Sequence, residues 1–169
     1  MKQIKTLLIA AALFLGANQT ISAQAKVAHI DVQELMTTMP EMKTAQAQVK
    51  KISETYDKEY NTMVTEYQTK MKKYESEAQT VTEAVNETRA KEMQDMGQRI
   101  QQYRENAQKE LEQKNMDLVK PIMDKARAAI QKVAKAKGYQ YVLDSTSGSG
   151  VILADGPNLL PEVKKELGF

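Results

Sequence analysis

The stretch that decides the fold is Ala45–Ala78, AQAQVKKISETYDKEYNTMVTEYQTKMKKYESEA. Steps of 4, 3 and 4 through it land only on apolar residues or tyrosine: Ala45, Val49, Ile52, Tyr56, Tyr60, Met63, Tyr67, Met71, Tyr74 and Ala78. Such an eleven-residue repeat makes three helical turns, at about 3.67 residues per turn. A heptad grid begun at Ala45 fails, because it places Glu59, Glu66, Lys70, Lys73 and Glu77 on the seam. The pattern predicts a long amphipathic helix, nearly straight or slightly right-handed in its supercoil. No glycine or proline interrupts it, and its charge density excludes a membrane span. A helix this long cannot bury its stripe alone, so its packing partner must be found elsewhere.

That partner follows directly in the chain. The stripe falters at Thr80 and Thr82, and Thr82-Glu83-Ala84-Val85 reads as an N-cap with an acid in the first turn, which places a tight turn at about 79–82. A second helix then runs to about Lys137, where lysines and Gly138 supply a C-terminal stop. Its apolar residues keep the eleven-residue spacing in two registers: Ile100, Leu111, Ile122 and Val133, and Met96, Ala107, Leu118 and Ala129. The shared period predicts an antiparallel hairpin, with helices of roughly 58 and 82 Å at about 1.5 Å per residue. Folding the chain about residue 81 brings Pro40 and Pro121 to one level. We take that level as a shoulder, with a two-helix arm over 41–120 on one side and a head built from 26–40 and 121–169 on the other.

Within the head, Lys26–Val32 predicts a strand with Ala28, Ile30 and Val32 on its buried face, and Gln33–Thr38 a short helix. Tyr139–Asp144 predicts a second strand. Ser145–Ser149 is turn chemistry, and Gly150–Ala154 is expected to return as the hairpin partner of the second strand. Asn158–Leu167 is expected to form a terminal helix facing the head through Leu159, Leu160, Val163 and Leu167. The fold class is α+β, mainly α: a long antiparallel α-helical hairpin, a coiled-coil-like prong, projecting from a small β-rich oligomerisation head.

Residues 1–25 read as a signal peptide. Lys2 and Lys5 form a positive start, Leu7–Ala17 is an apolar core too short to span a bilayer, and small-residue cleavage sites follow at Ala23 or Ala25. The expectation is an exported protein. Losing Lys2 and Lys5 leaves 22 basic against 22 acidic residues, because residues 1–25 hold no acid. A neutral chain lacks the electrostatic support for a nucleic-acid partner. The absence of cysteine excludes disulfides and cysteine-based metal sites.

Catalytic chemistry is poorly supported. His29 is the only histidine, which suits a structural strand residue better than a zinc ligand. Asp31 with Glu34 fits a strand-end acid followed by an acidic first helical turn. Gly148-Ser149-Gly150 lacks the lysine and following helix of a phosphate loop. No catalytic, cofactor-binding or metal-binding residues are assigned, and the protein is not expected to be an enzyme.

A head of about 64 residues without disulfides or metal is marginal, yet it must carry a long lever. Open strand edges add to the problem. Self-association through the head addresses both, and its candidates are Ile30, Val32, Val142, Leu143, Val151 and Leu153.

The order of segments resembles the OmpH/Skp family of periplasmic chaperones over the whole chain after the signal. The carrying residues are KVAHIDVQELMTTMPEMK (26–43), the charged hairpin, KPIMDKARAAIQKVAKAKGYQYVLD (120–144) and SGVILAD (149–155). The resemblance implies a homotrimer in the periplasm, with a small β-body and three prongs around a cavity. It also implies ATP-independent holding of unfolded outer-membrane proteins, with no cofactor. Most of Met63, Tyr67, Met71 and Tyr74 are expected to face the partner helix, with a minority touching client. Off-stripe Val64 and Met93 are the candidates for exposed apolar contact. Well-known members are strongly basic, whereas this tip mixes Lys70, Lys72 and Lys73 with Glu75, Glu77, Glu83 and Glu87. That balance weighs against direct binding to lipopolysaccharide or anionic membrane. The competing reading is an exported structural spacer or adaptor with one fixed protein partner.

Overall fold

The computed structural model describes residues 25–169; the predicted signal peptide lies outside the described residues except for Ala25. The elements run β1 (Val27–Ile30), α1 (Val32–Thr38), α2 (Pro40–Glu77), α3 (Glu83–Ala136), β2 (Tyr141–Asp144) and α4 (Leu160–Leu167). Pro40 opens α2 at its first turn, where a missing N–H costs nothing. Helix α2 has 38 residues and α3 has 54, about 57 and 81 Å at 1.5 Å per residue. Thr82 caps α3 by backbone conformation alone, since its side chain makes no capping bond.

The antiparallel hairpin forms as the shared period requires. Every residue of the 4-3-4 stripe from Ala45 to Ala78 is buried or half-buried, as are both registers on α3. Cross-helix pairs fix the alignment: Glu41 with Lys125, Tyr56 with Glu110, Glu59 with Tyr103, and Lys70 with Glu92. These pairs are symmetric about positions 81 to 83, so position 40 lies opposite 122 to 126 and Pro121 falls one to five residues from the level of Pro40. Helix α3 continues through Pro121, which is exposed. At its far end Tyr139 N–H donates to the Ala134 carbonyl and Gly138 N–H to that of Lys135, while Gly138 sits at φ 73°. This paired closure satisfies the last helical carbonyls and needs a residue free to adopt the left-handed region.

The sheet departs from expectation. β1 and β2 pair in parallel, with Val27 opposite Tyr141 and Ile30 opposite Asp144, so the entire helical hairpin is the crossover of a β-α-β unit. The expected hairpin between Tyr139–Asp144 and Gly150–Ala154 is absent: residues 150–154 adopt no regular structure. The physical reason lies in the turn. The Ser149 hydroxyl donates to the Asp144 carbonyl, Ser149 N–H closes on the Thr146 carbonyl, and Gly148 and Gly150 adopt φ of 87° and 92°. Those left-handed residues send the chain away from β2 instead of back along it. The chain returns to the sheet on the other side of β1, where His29 N–H donates to the Pro157 carbonyl and Leu159 N–H to the His29 carbonyl. Both edges of β1 are therefore occupied, while the outer edge of β2 stays open.

Behind the sheet, Ala28 and Ile30 meet Leu35, Met39 and Met42, the α3 residues Ala126, Ala129, Val133 and Ala134, and Leu159, Leu160 and Val163. The two buried β1 residues are those of the predicted apolar face. Asp31 caps α1 by accepting from Glu34 N–H at 2.7 Å, which is the structural role read from the sequence. His29 is structural too. Its Nε2 lies 3.0 Å from the Gly156 carbonyl, which can only accept, so that nitrogen carries the proton. Its Nδ1 then accepts from the Ser145 hydroxyl at 3.1 Å.

Candidate functional site: the arm seam and the open face of the head

Two helices in contact can each bury only one face, and the arm shows how thin that burial is. Between the shoulder and the tip only Met42, Ala45 and Met96 are fully buried; Met63, Tyr67, Met71 and Tyr74 are half-buried in the seam. Polar groups on long side chains then reinforce the seam at three levels.

At the base, Lys125 pairs with Glu41 and holds that carboxyl below the ordinary carboxylate range. At mid-arm the tyrosines cross over. Tyr56 of α2 donates to Glu110 of α3 at 2.7 Å, and Tyr103 of α3 donates to Glu59 of α2 at 2.7 Å. Their rings meet edge to face, with centroids 6.4 Å apart and planes at 78°. Burial first, and then the bond to Glu59, pushes the Tyr103 phenol up to about 12. The bond to Glu110 raises that of Tyr56.

Near the tip a third cluster closes the hairpin. Glu92 receives both Lys70 and the Tyr74 hydroxyl, the latter at 2.6 Å. Those two donors hold the Glu92 carboxyl low, and their bonds to Glu92 in turn raise the Lys70 ammonium and the Tyr74 phenol. Arg89 bonds Glu77 at 2.6 Å and lies 4.5 Å from the centre of the Tyr74 ring. Asn86 donates to the Ala78 carbonyl at 2.9 Å and pins the turn itself.

Val64 and Met93 were expected to be exposed. Both are half-buried, because each sits one position from a seam contact (Met63 and Glu92) and leans on its margin. The large apolar residues that do face solvent on α3 are Val85 near the tip, and Met116 and Met123 around the shoulder. Tyr103, which crosses Tyr56, was missed by the two eleven-residue registers. The signal was present: Met96, Ile100, Tyr103, Ala107 and Leu111 repeat the 4-3-4 step of the first helix.

The head presents a different surface. Ile30 is buried in the core and Val32 and Val142 are half-buried, while Leu143 and Tyr141 project outward from β2. Val151 is half-buried, Leu153 is 75% exposed and Ile152 is wholly exposed. Beside the sheet lies an apolar recess of about 280 Å³ lined by Val32, Met36, Met123, Ala126, Ile130 and Val142 among others. An open β2 edge, an apolar recess and an extended apolar segment thus occupy one end of the chain. Among the described residues no group of three or more His, Asp or Glu side chains could hold a metal ion, and no helix is long and apolar enough to cross a membrane.

A family model for outer membrane proteins of the OmpH-like kind matches residues 26–167, nearly the whole described chain. The chain belongs to the OmpH-like family. The architecture agrees: a crystal structure of a protein from Caulobacter crescentus CB15, named as an OmpH-like outer membrane chaperone, superposes with a TM-score of 0.76. It shares 19% identity with this OmpH-like chain, over 85% of this chain and 83% of that one. At such identity the likeness speaks for the fold: mainly helical, with a small sheet and a long hairpin. A search of curated proteins finds no match to this chain.

Proposed function

We propose that this protein is an ATP-independent periplasmic holdase that keeps unfolded outer-membrane β-barrel proteins from aggregating, in a cavity between the arms of a homotrimer. One observation carries the reading most. The chain spends some eighty residues on an arm whose apolar stripe, rich in tyrosine and methionine, is only half-buried beyond the shoulder except at Met42, Ala45 and Met96. Methionine and tyrosine on a lightly packed, repackable seam suit contact with many sequences. Residues at its margin, Val64 and Met93 with Met63, Tyr67, Met71 and Tyr74, are the client-contact candidates.

The head supplies the means of assembly. A wholly exposed Ile152 and a largely exposed Leu153, together with the open outer edge of β2, make up the part of the head that another copy would cover. Val142, Leu143 and Val151 adjoin it, with Ile30 and Val32 behind. The signal peptide read at residues 1–25 supports export, and family membership supports the periplasm as the destination.

Two measurements test this. Light scattering of the mature chain is expected to give the mass of three subunits, and Ile152→Asp with Leu153→Asp to shift it to a monomer of unchanged helicity. An unfolded β-barrel protein diluted from urea is expected to stay soluble at about one trimer per client without nucleotide. A trimer that leaves aggregation unchanged sinks the holdase reading. A fixed-partner spacer, which the polar bridges along the arm would suit, predicts one dominant crosslinked partner in place of many.

A further inference from the structure

Between its mid-arm and tip clusters the arm seam carries no polar bridge. Glu59 with Tyr103 bounds this interval on the shoulder side, and Lys70 with Glu92 bounds it on the tip side. Residues 60–69 of α2 and 93–102 of α3 lie between them, about 15 Å of arm at 1.5 Å per residue. Among the described residues no hydrogen bond or ion pair joins those two stretches.

Each helix is also intrinsically weak at this level. Gly97 is the only glycine in either arm helix. Glycine is about fivefold less favourable than alanine in a helix interior. Packing does not call for it, since a Cβ at Gly97 would meet nothing within 4 Å. The alignment set by the cross-helix pairs places Gly97 opposite residues 65 to 69. There the hydroxyls of Thr62, Thr65 and Thr69 donate to the carbonyls of Lys58, Asn61 and Thr65 at 2.9, 2.7 and 2.8 Å. Such bonds back to the preceding turn compete with the helical ladder and bend helices. What remains between the helices is Met63, Met96 and Ile100 around a gap of about 120 Å³. Methionine is unbranched and adaptable, so this contact can persist while the helices shift. The unbridged stretch nearer the shoulder lacks this coincidence: Pro121 interrupts α3 there, but it faces the fully buried Met42 and Ala45.

We propose that the arm is jointed at this level. Residues 60–69 and 93–102 part and unwind together, and the segment from Lys70 round the tip to Glu92, held by its own bridges, moves as one piece about the Met63–Met96 contact. The joint is a property of the arm and stands apart from the holdase reading. Under that reading it lets the distal part of each arm close on guests of different girth while the shoulder stays fixed.

Amide hydrogen exchange of the full mature chain tests it. Protection is expected to fall on passing from the mid-arm crossing into 60–69 and 93–102, to rise again at 70–77 and 89–92, and to fall finally at the turn. A smooth decline from shoulder to tip overturns the proposal, because fraying from the end then explains all the opening. Gly97→Ala, which has room for its methyl group, is expected to slow exchange in the interval roughly fivefold and to leave 103–110 unchanged. The slowing is expected in α2 at 63–69 as well as in α3, because the two stretches open together. Slowing confined to α3 overturns the joint and leaves only a local gain in helix propensity. Thr65→Ala, an exposed substitution on the facing helix, is expected to slow the same two stretches by about twofold; slowing in α2 alone counts against the joint in the same way.

Discussion

The head and the arm of this molecule are held together by different chemistry. In the head, Ile30, Leu35, Met39, Leu159 and Val163 are almost wholly removed from solvent, and backbone bonds tie together segments over a hundred residues apart in the chain. Residues 26, 29 and 30 alone bond to residues 140, 145, 157 and 159. The arm past its base buries one methionine fully, Met96, and otherwise depends on half-buried side chains and on tyrosine–carboxylate and ion-pair bridges along the rim of its seam. Exposed polar bridges of this kind contribute little each, and they re-form readily after breaking. A fixed frame thus carries a lever that opens at low cost, which is the division of labour a holder of variable guests requires.

The contrast is broken most directly by truncation. Leu35→Ala, at a site with no solvent exposure, is expected to lower unfolding stability by about 2–5 kcal/mol. Ile52→Ala, half-buried in the seam, is expected to cost about 1 kcal/mol, nearer the centre of the range for single substitutions. Urea unfolding followed by circular dichroism measures both. Equal losses would mean that the arm is as tightly packed as the head, and the functional contrast would fall.

A smaller effect sharpens it. Removing both crossed hydroxyls, Tyr56→Phe with Tyr103→Phe, leaves the ring contact in place and cuts only the bonds to Glu110 and Glu59. Hydrogen exchange is expected to accelerate over the middle of α2 and α3 by several-fold, with the amides of β1, α1 and α4 unchanged. Faster exchange in the head as well would show that arm and head open as one unit.

The arm was legible in the sequence because its determinants are periodic and local. The 4-3-4 step names the centre line of the α2 seam from Ala45 to Ala78, and the same step applied to α3 finds Tyr103; a turn and two caps then fix the alignment. The short elements of the head were legible for a similar reason: Asp31 caps α1, and Leu159, Leu160 and Val163 pack inward as their spacing requires. The strand pairing was not legible. Tyr139–Asp144 and Gly150–Ala154 have the composition and separation of a hairpin, and nothing in those residues reports that Lys26–Ile30, over a hundred positions earlier, competes for the same edge. Backbone bonding at long range wins there, and the left-handed glycines turn the apolar GVILA segment outward. Val64 and Met93 are less exposed than their spacing implies. Periodicity gives the centre of a seam but not its width, and large neighbours such as Tyr60 and Tyr67 widen it.

The smallest effect concerns pH, and its sign follows from the crossed pair. Burial and the bond to Glu59 raise the Tyr103 phenol from its ordinary 10.0 to about 12, so the folded arm holds this proton more tightly than the unfolded chain does. The stabilisation is complete below about pH 10, where both states are protonated, and is lost as the pH rises through about 12. Lys70, raised by its bond to Glu92, adds a change of the same sign in the alkaline range. Glu92 acts oppositely: its carboxyl is held low by Lys70 and Tyr74, so its contribution is present above its ordinary 4.5 and disappears as the pH falls through its folded value. An absorbance titration of the phenols is expected to show a late ionisation near pH 12 that Tyr103→Phe removes. Arm amides should exchange faster over that same interval than their intrinsic pH dependence accounts for. If every phenol of the folded chain ionises together near 10, Tyr103 is solvated like a surface tyrosine, and the mid-arm crossing does not hold the two helices together.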